Sequence, residues 1–152
     1  MNKLFNTEFE ASLRLILLLK IAGKSGLSVD RAAIADYAAI YSKNCGLSDK
    51  NLNGDAVYSF SEFATKRLLV SNALITMVRC GIANVRTTGK GFIYVLSEDG
   101  KIAASKMQSS YATSYLRFAK ESLGYFKNVA DDRLMDSFNS IASRAMSEVH
   151  DD

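Results

Sequence analysis

Hydrophobic residues recur with helical spacing in six segments of the chain, and two short alternating segments lie between the third and the fourth. Thr7 and Ser28 precede the first two segments, as expected of helix N-caps, and Gly23 and Gly81 follow the first and the third. The spacing predicts helices over about 8–22, 29–43, 61–80, 98–108, 110–127 and 131–149. The first helix carries "LILLL" (15–19) and is apolar on nearly every side, which is typical of a helix at the centre of a fold.

The two alternating segments predict a β-hairpin, with strands near 82–87 and 92–96 and "TGKG" (88–91) as its turn. Three helices, a hairpin and a fourth helix follow one another as in a winged helix-turn-helix. The predicted fold is therefore mainly α with a small antiparallel β-hairpin. It has a winged-helix-like core over 1–108 and a C-terminal two-helix extension over 109–149. We expect the extension to pack on the core, so that the chain forms one compact unit.

The third helix has a poor composition for reading DNA. Its polar stripe (Thr65, Asn72, Thr76, Arg79) holds a single basic residue, and that residue lies at the C-terminal end. Recognition helices usually contact DNA bases through residues near their N-terminus. A helix-turn-helix normally has a turn of about 3–4 residues before this helix, but here the long segment "NCGLSDKNLNGDAVYS" (44–59) precedes it. Sequence-specific DNA recognition is therefore disfavoured.

The net charge of +3 is concentrated around the hairpin. Residues 61–105 hold six basic and three acidic side chains, which gives +3. The basic residues best placed for phosphate contacts are Arg79, Arg86, Lys90 and Lys101. Contacts of this kind give weak, salt-dependent binding without sequence specificity. Two interpretations stay open: the hairpin contacts DNA non-specifically inside a larger complex, or it serves only as scaffold.

The fifth helix has more apolar surface than one neighbour can cover. Its apolar side chains, many of them aromatic, span roughly half of its circumference. Either two helices of the same chain cover this arc, or one neighbour belongs to another protein, since aromatic residues are enriched at interfaces. The loop over 44–60 poses the same alternatives, because it is rich in apolar residues. The candidate partner-interface residues are Tyr58, Phe60, Tyr111, Tyr115 and Tyr125.

Residues suited to catalysis or cofactor binding are scarce. The one histidine, His150, is expected to lie in a frayed helix end, and Cys45 and Cys80 lack the spacing of a zinc site or a disulfide framework. "GKG" (89–91) is too short for a phosphate-binding loop. We therefore expect no enzyme activity, no cofactor and no metal. The start, "MNKLFNTEFE", has no signal-peptide pattern, and no apolar run reaches the ~20 residues of a membrane span, so a cytoplasmic location is expected.

Four stretches carry a resemblance to a known family: "FNTEFEASLRLILLLKIA" (5–22), "LSVDRAAIADYAAIYS" (27–42), "YSFSEFATKRLLVSNALITMVRCGIANV" (58–85) and "GFIYVLSEDGKIAASKMQSSYATSYLRFAKESLGYF" (91–126). Together they resemble the middle component of ABC three-component conflict systems, which are bacterial anti-phage and anti-plasmid operons of the Lamassu type. The resemblance implies a small winged-helix-like protein encoded with an SMC-like ABC ATPase and an effector, often a nuclease. It further implies an adaptor that binds the ATPase and couples its DNA sensing to the effector, with no catalytic residues to carry over.

Two functions of different classes are compatible with these observations. The first is a non-catalytic adaptor in a defence complex, which predicts co-purification with the ATPase and little DNA affinity for the isolated chain. The alternative is a stand-alone winged-helix transcriptional regulator, which predicts tight, sequence-dependent DNA binding. The long loop and the weakly basic third helix favour the adaptor.

Overall fold

A computed structural model describes residues 7–41, 63–89 and 91–150, with side chains described as far as residue 140. Within these ranges the fold is mainly helical with one two-stranded antiparallel hairpin, so the predicted fold class is confirmed. The elements are α1 (Glu8–Ala22), a 3-10 turn (Gly23–Ser25), α2 (Val29–Ile40), α3 (Phe63–Arg79), β1 (Ala83–Thr88), β2 (Gly91–Leu96), α4 (Glu98–Ser105), α5 (Ser110–Tyr125) and α6 (Asp131–His150). Their order is compatible with a winged-helix core. The loop predicted over 44–60 lies outside the described residues.

Short polar side chains begin the helices at the predicted positions. Thr7 accepts a hydrogen bond from the backbone N–H of Glu10 at 3.1 Å, and Ser28 accepts one from Arg31 at 3.1 Å. Ser97 caps α4 in the same way, through the N–H of Gly100 at 3.0 Å. Each bond satisfies a backbone donor that has no partner within its own helix.

Helix α1 lies at the centre of the fold, as its sequence predicts. Ala11 and every residue from Leu15 to Leu19 are buried, on all sides of the helix. The helix packs against α2, α3, α4, α5 and the hairpin. Phe9, which helical spacing would place with the core residues, lies in the first turn and is 69% exposed.

Three aromatic rings join α2, α3 and α6. Tyr37 packs edge-on against Phe63 and Phe138, with ring centroids 5.3 and 5.5 Å apart. The centroids of Phe63 and Phe138 are 4.9 Å apart. Such tilted and edge-to-face pairs add roughly 0.5–1.5 kcal/mol each to the energy of burial alone. The cluster therefore fixes the last helix to the middle of the chain.

The hairpin is attached to the segment between α1 and α2. Leu27 and Tyr94 exchange two backbone hydrogen bonds of 2.9 and 2.8 Å, which adds a one-residue third strand beside β2. This pairing requires a glycine at position 26, where a Cβ would lie 2.6 Å from the carbonyl oxygen of Tyr94. Gly26 also has a φ of +66°, which other residues rarely adopt. Backbone geometry therefore fixes the hairpin in place.

The two C-terminal helices pack on the rest of the chain through α2. Helix α5 contacts both α1 and α2, so its wide apolar arc has two neighbours within the same chain. Arg31 of α2 donates to the carboxylate of Asp131 at 2.8 Å and to the carbonyl oxygens of Phe126 and Val129. A single guanidinium thus holds the turn between α5 and α6 against α2.

The close packing of Gly100 gives a test of how the hairpin and α4 fit together. A Cβ at this position would overlap the carbonyl oxygen of Ile82 and lie 2.8 Å from Cδ2 of Leu96. We expect Gly100→Ala to lower the free energy of unfolding by roughly 1–3 kcal/mol, the usual cost of overpacking. Chemical denaturation followed by circular dichroism measures this change.

Gly124 of α5 provides the matched control, because a Cβ there would meet nothing within 4 Å. Gly124→Ala should leave stability unchanged or raise it by up to ~1 kcal/mol through the better helix propensity of alanine. Equal effects of the two substitutions would contradict the close approach at Gly100.

Candidate functional site

A buried ion pair joins α1 to α2 inside the core. Nε of Arg14 donates to Oδ1 of Asp36 at 2.9 Å, and a second guanidinium nitrogen donates to Oδ2 at 3.2 Å. Both residues are only 4% exposed. The hydroxyl of Tyr115 on α5 donates to the same carboxylate at 2.6 Å. Three helices therefore meet at one carboxylate that is almost closed to solvent.

This network holds its two donors in their protonated forms. Burial disfavours the charged form of Arg14, but the charge and hydrogen bonds of Asp36 outweigh it and raise the pKa of the guanidinium above its ordinary value. Burial and the charge of Asp36 also raise the pKa of the Tyr115 phenol well above its ordinary value. A general acid or base needs a pKa near the working pH. The network is therefore structural.

The structure separates the tyrosines that the sequence predicts at a partner interface. Tyr115 is fully buried and bonded to Asp36, which corrects its prediction as an interface residue. Tyr111 is half-buried against the core, whereas Tyr125 is 49% exposed at the end of α5. Tyr58 and Phe60 lie outside the described residues.

The exposed face of α3 carries two large aliphatic side chains among polar ones, and we call it the aliphatic stripe of α3. Leu68 is 62% exposed and Ile75 is 40% exposed, and the exposed Asn72 lies about one turn from each of them. Arg79 ends this stripe at the C-terminus of the helix and is exposed. Reading the major groove requires donors and acceptors aligned with base edges. The two aliphatic side chains on this face offer neither.

The other two basic residues of α3 interact with side chains of the same protein. Lys66 is 8% exposed, and its ammonium lies 5.5 Å from the centre of the Tyr41 ring, so its aliphatic stem covers core surface. Arg67 forms an ion pair with Asp30 of α2, with an N–O distance of 2.6 Å. Within the part of α3 that the structure describes, Arg79 is thus the basic residue that is left to contact an external partner.

Arg86 and Lys101, two of the predicted phosphate contacts, line the same pocket of about 510 Å³. The sequence did not point to Lys20 and Lys24, which line it as well. We call it the basic pocket; its lining residues are Leu19, Lys20, Gly23, Lys24, Arg86, Val95, Leu96 and Lys101. Arg79 does not line it, and Lys90 lies outside the described residues. The pocket combines an aliphatic floor with a cationic rim.

Two polar interactions shape the rim of the basic pocket. One terminal nitrogen of Arg86 donates to the carbonyl oxygens of Lys24 and Ser25, at 3.0 and 3.4 Å. These bonds fix the guanidinium between the hairpin and the 3-10 turn. Lys101 pairs with Glu98 in the preceding turn of α4 at 3.1 Å, where both side chains are largely exposed.

Within residues 7–41, 63–89 and 91–150, the structure places no three histidine, cysteine or acidic side chains together as a metal site requires. None of the helices in those ranges has the length and apolar character needed to span a bilayer. The described polar contacts are hydrogen bonds and ion pairs in the core, helix caps and surface pairs, and the basic pocket is a recess where charged side chains from several elements meet.

The sequence profile of the ABC-three component (ABC-3C) system Middle Component 2 family matches residues 4–148. The chain belongs to this family. No curated protein and no solved structure matches the chain. The predicted resemblance to a middle component of ABC three-component systems is therefore confirmed. The matched residues 4–148 cover α1 to α5, the hairpin and all of α6 except its last two residues.

Sequence reasoning missed the partners of the buried network. Arg14 interrupts an apolar helix, and Asp36 stands within "AAIADYAAI" (32–40), where alanine and isoleucine surround it. An isolated charge on a face that must be buried indicates a buried partner of opposite sign. Two such signals, one in each of the first two helices, could have paired these residues before the structure was known.

Removing the buried carboxylate tests the importance of this network for the Middle Component 2 fold. Asp36→Asn keeps the side-chain shape but leaves the charge of Arg14 without its counter-ion. We expect the free energy of unfolding to fall by about 3–5 kcal/mol, as when a buried ion pair loses one partner. Urea denaturation measures the change.

Asp30→Asn is the matched control, because it breaks an ion pair to Arg67 in which the side chains are 38% and 44% exposed. This change should cost less than about 1 kcal/mol, since solvent screens the pair. A smaller loss for Asp36→Asn than for Asp30→Asn would show that the buried pair does not stabilise the fold.

The raised pKa of Tyr115 predicts a loss of stability at alkaline pH. Above the ordinary tyrosine pKa of about 10, the unfolded chain releases this proton while the folded chain keeps it, so stability falls by up to ~1.4 kcal/mol per pH unit. Below that pH both states keep the proton and the effect vanishes. Denaturation between pH 9 and about pH 11 should therefore show a shallower slope for Tyr115→Phe than for the wild type. The exposed Tyr125→Phe should keep the wild-type slope.

Proposed function

We propose that this chain is a non-catalytic adaptor subunit of a bacterial anti-phage or anti-plasmid defence complex of the Lamassu type. In this complex it links an SMC-like ABC ATPase, which senses DNA, to a nuclease-type effector. The adaptor acts in the cytoplasm and contributes binding surfaces rather than reactive groups. The match of residues 4–148 to Middle Component 2 of ABC three-component systems carries this proposal.

The exposed aliphatic stripe of α3 supports a protein partner. Leu68 and Ile75 are large apolar side chains, and both point away from a core that is already filled by Val70, Leu74 and Met77 of the same helix. Covering such side chains stabilises a complex by roughly 25 cal/mol for each Å² of apolar surface removed from water. The proposed interface is therefore this stripe, and Tyr125 and the exposed edge of Tyr111 on α5 are additional candidate contacts.

The alternative, a stand-alone transcriptional regulator, has weaker support. Its recognition helix would have to read base edges, yet Lys66 and Arg67 have partners within the chain. Arg79, Arg86 and Lys101 could add phosphate contacts only of the non-specific kind, within the assembled complex. Weak, salt-dependent DNA binding is thus compatible with the adaptor, whereas tight binding to one defined duplex is not.

Co-expression with the ABC ATPase and the effector of the same system tests the adaptor function. The wild-type chain should co-elute with the ATPase in size-exclusion chromatography, and deleting its gene should abolish protection against phage or plasmid. We expect Leu68→Asp to reduce co-elution strongly, because a charge in the middle of an apolar contact loses its hydration.

Phe92→Asp is the matched control, since Phe92 is 59% exposed on β2 and lies outside the α3 stripe. It should leave co-elution unchanged. A wild-type chain that elutes alone, together with protection that survives its deletion, would rule out the adaptor function. Tight binding of the isolated chain to one duplex, lost in the Arg86→Glu, Lys90→Glu variant, would favour the regulator.

A further inference from the structure

The basic pocket gathers cations from four separate elements. Lys20 comes from the last turn of α1, Lys24 from the 3-10 turn, Arg86 from β1 and Lys101 from α4. No acidic side chain is among the described residues that line the pocket, and Glu98, the partner of Lys101, lies outside the lining. Like charges around a low-dielectric recess focus a positive potential in it. The pocket therefore attracts an anionic group.

Interactions within the helices account for two of these charges. Lys20 stands at the C-terminus of α1, where a cation interacts favourably with the helix dipole. Lys101 forms an i, i+3 ion pair with Glu98 at the start of α4, where the helix dipole favours an acidic side chain. The side chains of Lys20 and Lys24 form no hydrogen bond or ion pair with the residues that the structure describes. No interaction among the described residues accounts for the side chain of Lys24, which suggests a use outside the chain.

The floor of the pocket determines what kind of anion fits. Leu19, Val95 and Leu96 supply aliphatic carbon, and none of the described lining residues is aromatic. Sites for single-stranded nucleic acids use aromatic rings to stack bases, which this floor lacks. The phosphates of a duplex would reach the rim but would leave the apolar floor uncovered. The volume of about 510 Å³ lies within the roughly 300–1,000 Å³ typical of sites that enclose a ligand.

We propose that the basic pocket binds an acidic segment of a partner subunit, with carboxylates on its cationic rim and one apolar side chain on its aliphatic floor. Arg86 is held by the carbonyl oxygens of Lys24 and Ser25, so its planar guanidinium is already oriented for a carboxylate. This inference rests on the proposed adaptor function, since it names the chemistry by which one partner is held.

Carbodiimide cross-linking of the assembled complex tests the pocket, because this reagent joins lysine amines only to carboxylates that touch them. The wild-type chain is co-purified with the ABC ATPase and the effector, treated with the reagent and analysed by mass spectrometry. Lys20, Lys24 and Lys101 should be linked to one acidic segment of a partner that also contains an apolar residue. Lys120 and Lys127, which are exposed in and after α5, serve as internal controls and should not be linked to that segment.

Charge reversal adds a quantitative test. Lys20→Glu with Lys24→Glu should raise the Kd for the partner by about tenfold or more, whereas Lys120→Glu with Lys127→Glu, the same change of net charge, should leave it within about twofold. Circular dichroism confirms that both variants fold. The contribution of the pocket to the affinity of the wild-type chain should also fall as the salt concentration rises.

Three other outcomes would each contradict the proposed binding of an acidic segment. A complex that forms without cross-links at the pocket lysines, and that tolerates the charge reversal, rejects the pocket but keeps the adaptor function. A wild-type chain that forms no complex rejects both. If the charge reversal instead abolishes binding to a fluorescein-labelled DNA duplex and leaves the protein complex intact, the occupant of the pocket is phosphate and the peptide proposal is wrong.

Discussion

The carboxylate of Asp36 is the constraint on which the fold depends, because it can be buried only with its partners in place. Taking a carboxylate and a guanidinium out of water costs several kcal/mol for each ion, so Arg14 and Asp36 must enter the core together. The Tyr115 hydroxyl adds a third directional contact. Aliphatic packing tolerates small sliding movements between helices, but these hydrogen bonds do not. The network therefore sets the register of α1, α2 and α5 relative to one another.

The position of α1 then determines where the hairpin and the basic pocket lie. Gly26 follows the end of α1, and its lack of a Cβ lets the adjoining Leu27 pair with Tyr94. This pairing brings the hairpin to the 3-10 turn after α1, where Arg86 bonds to the carbonyl oxygen of Lys24. The pocket thus forms where four elements meet, and its cations come together through backbone geometry rather than through any local sequence motif.

Local sequence signals predicted the helices and strands well. The features that they missed depend on contacts between residues far apart in the sequence. Caps such as Thr7 and Ser97 act over three residues, so the printed sequence contains all the information needed to place them. Tyr115 was assigned to an interface because a helical wheel tells which side chains share a face but not which faces meet. Its partner, Asp36, is 79 residues away. The contact between Arg86 and Lys24 spans 62 residues. Local sequence patterns therefore could not predict that Lys20 and Lys24 lie on the pocket rim with Arg86 and Lys101.

The two candidate surfaces differ in the physics of their contacts. The aliphatic stripe of α3 gains energy from the removal of apolar surface from water, which moderate salt changes little. The rim of the basic pocket depends on charges at an exposed surface, and at physiological ionic strength their attraction is screened over about 8 Å. Ionic strength therefore acts on one surface and largely spares the other. In the proposed adaptor, a rise in ionic strength would therefore weaken a contact at the pocket before it weakens a contact at α3.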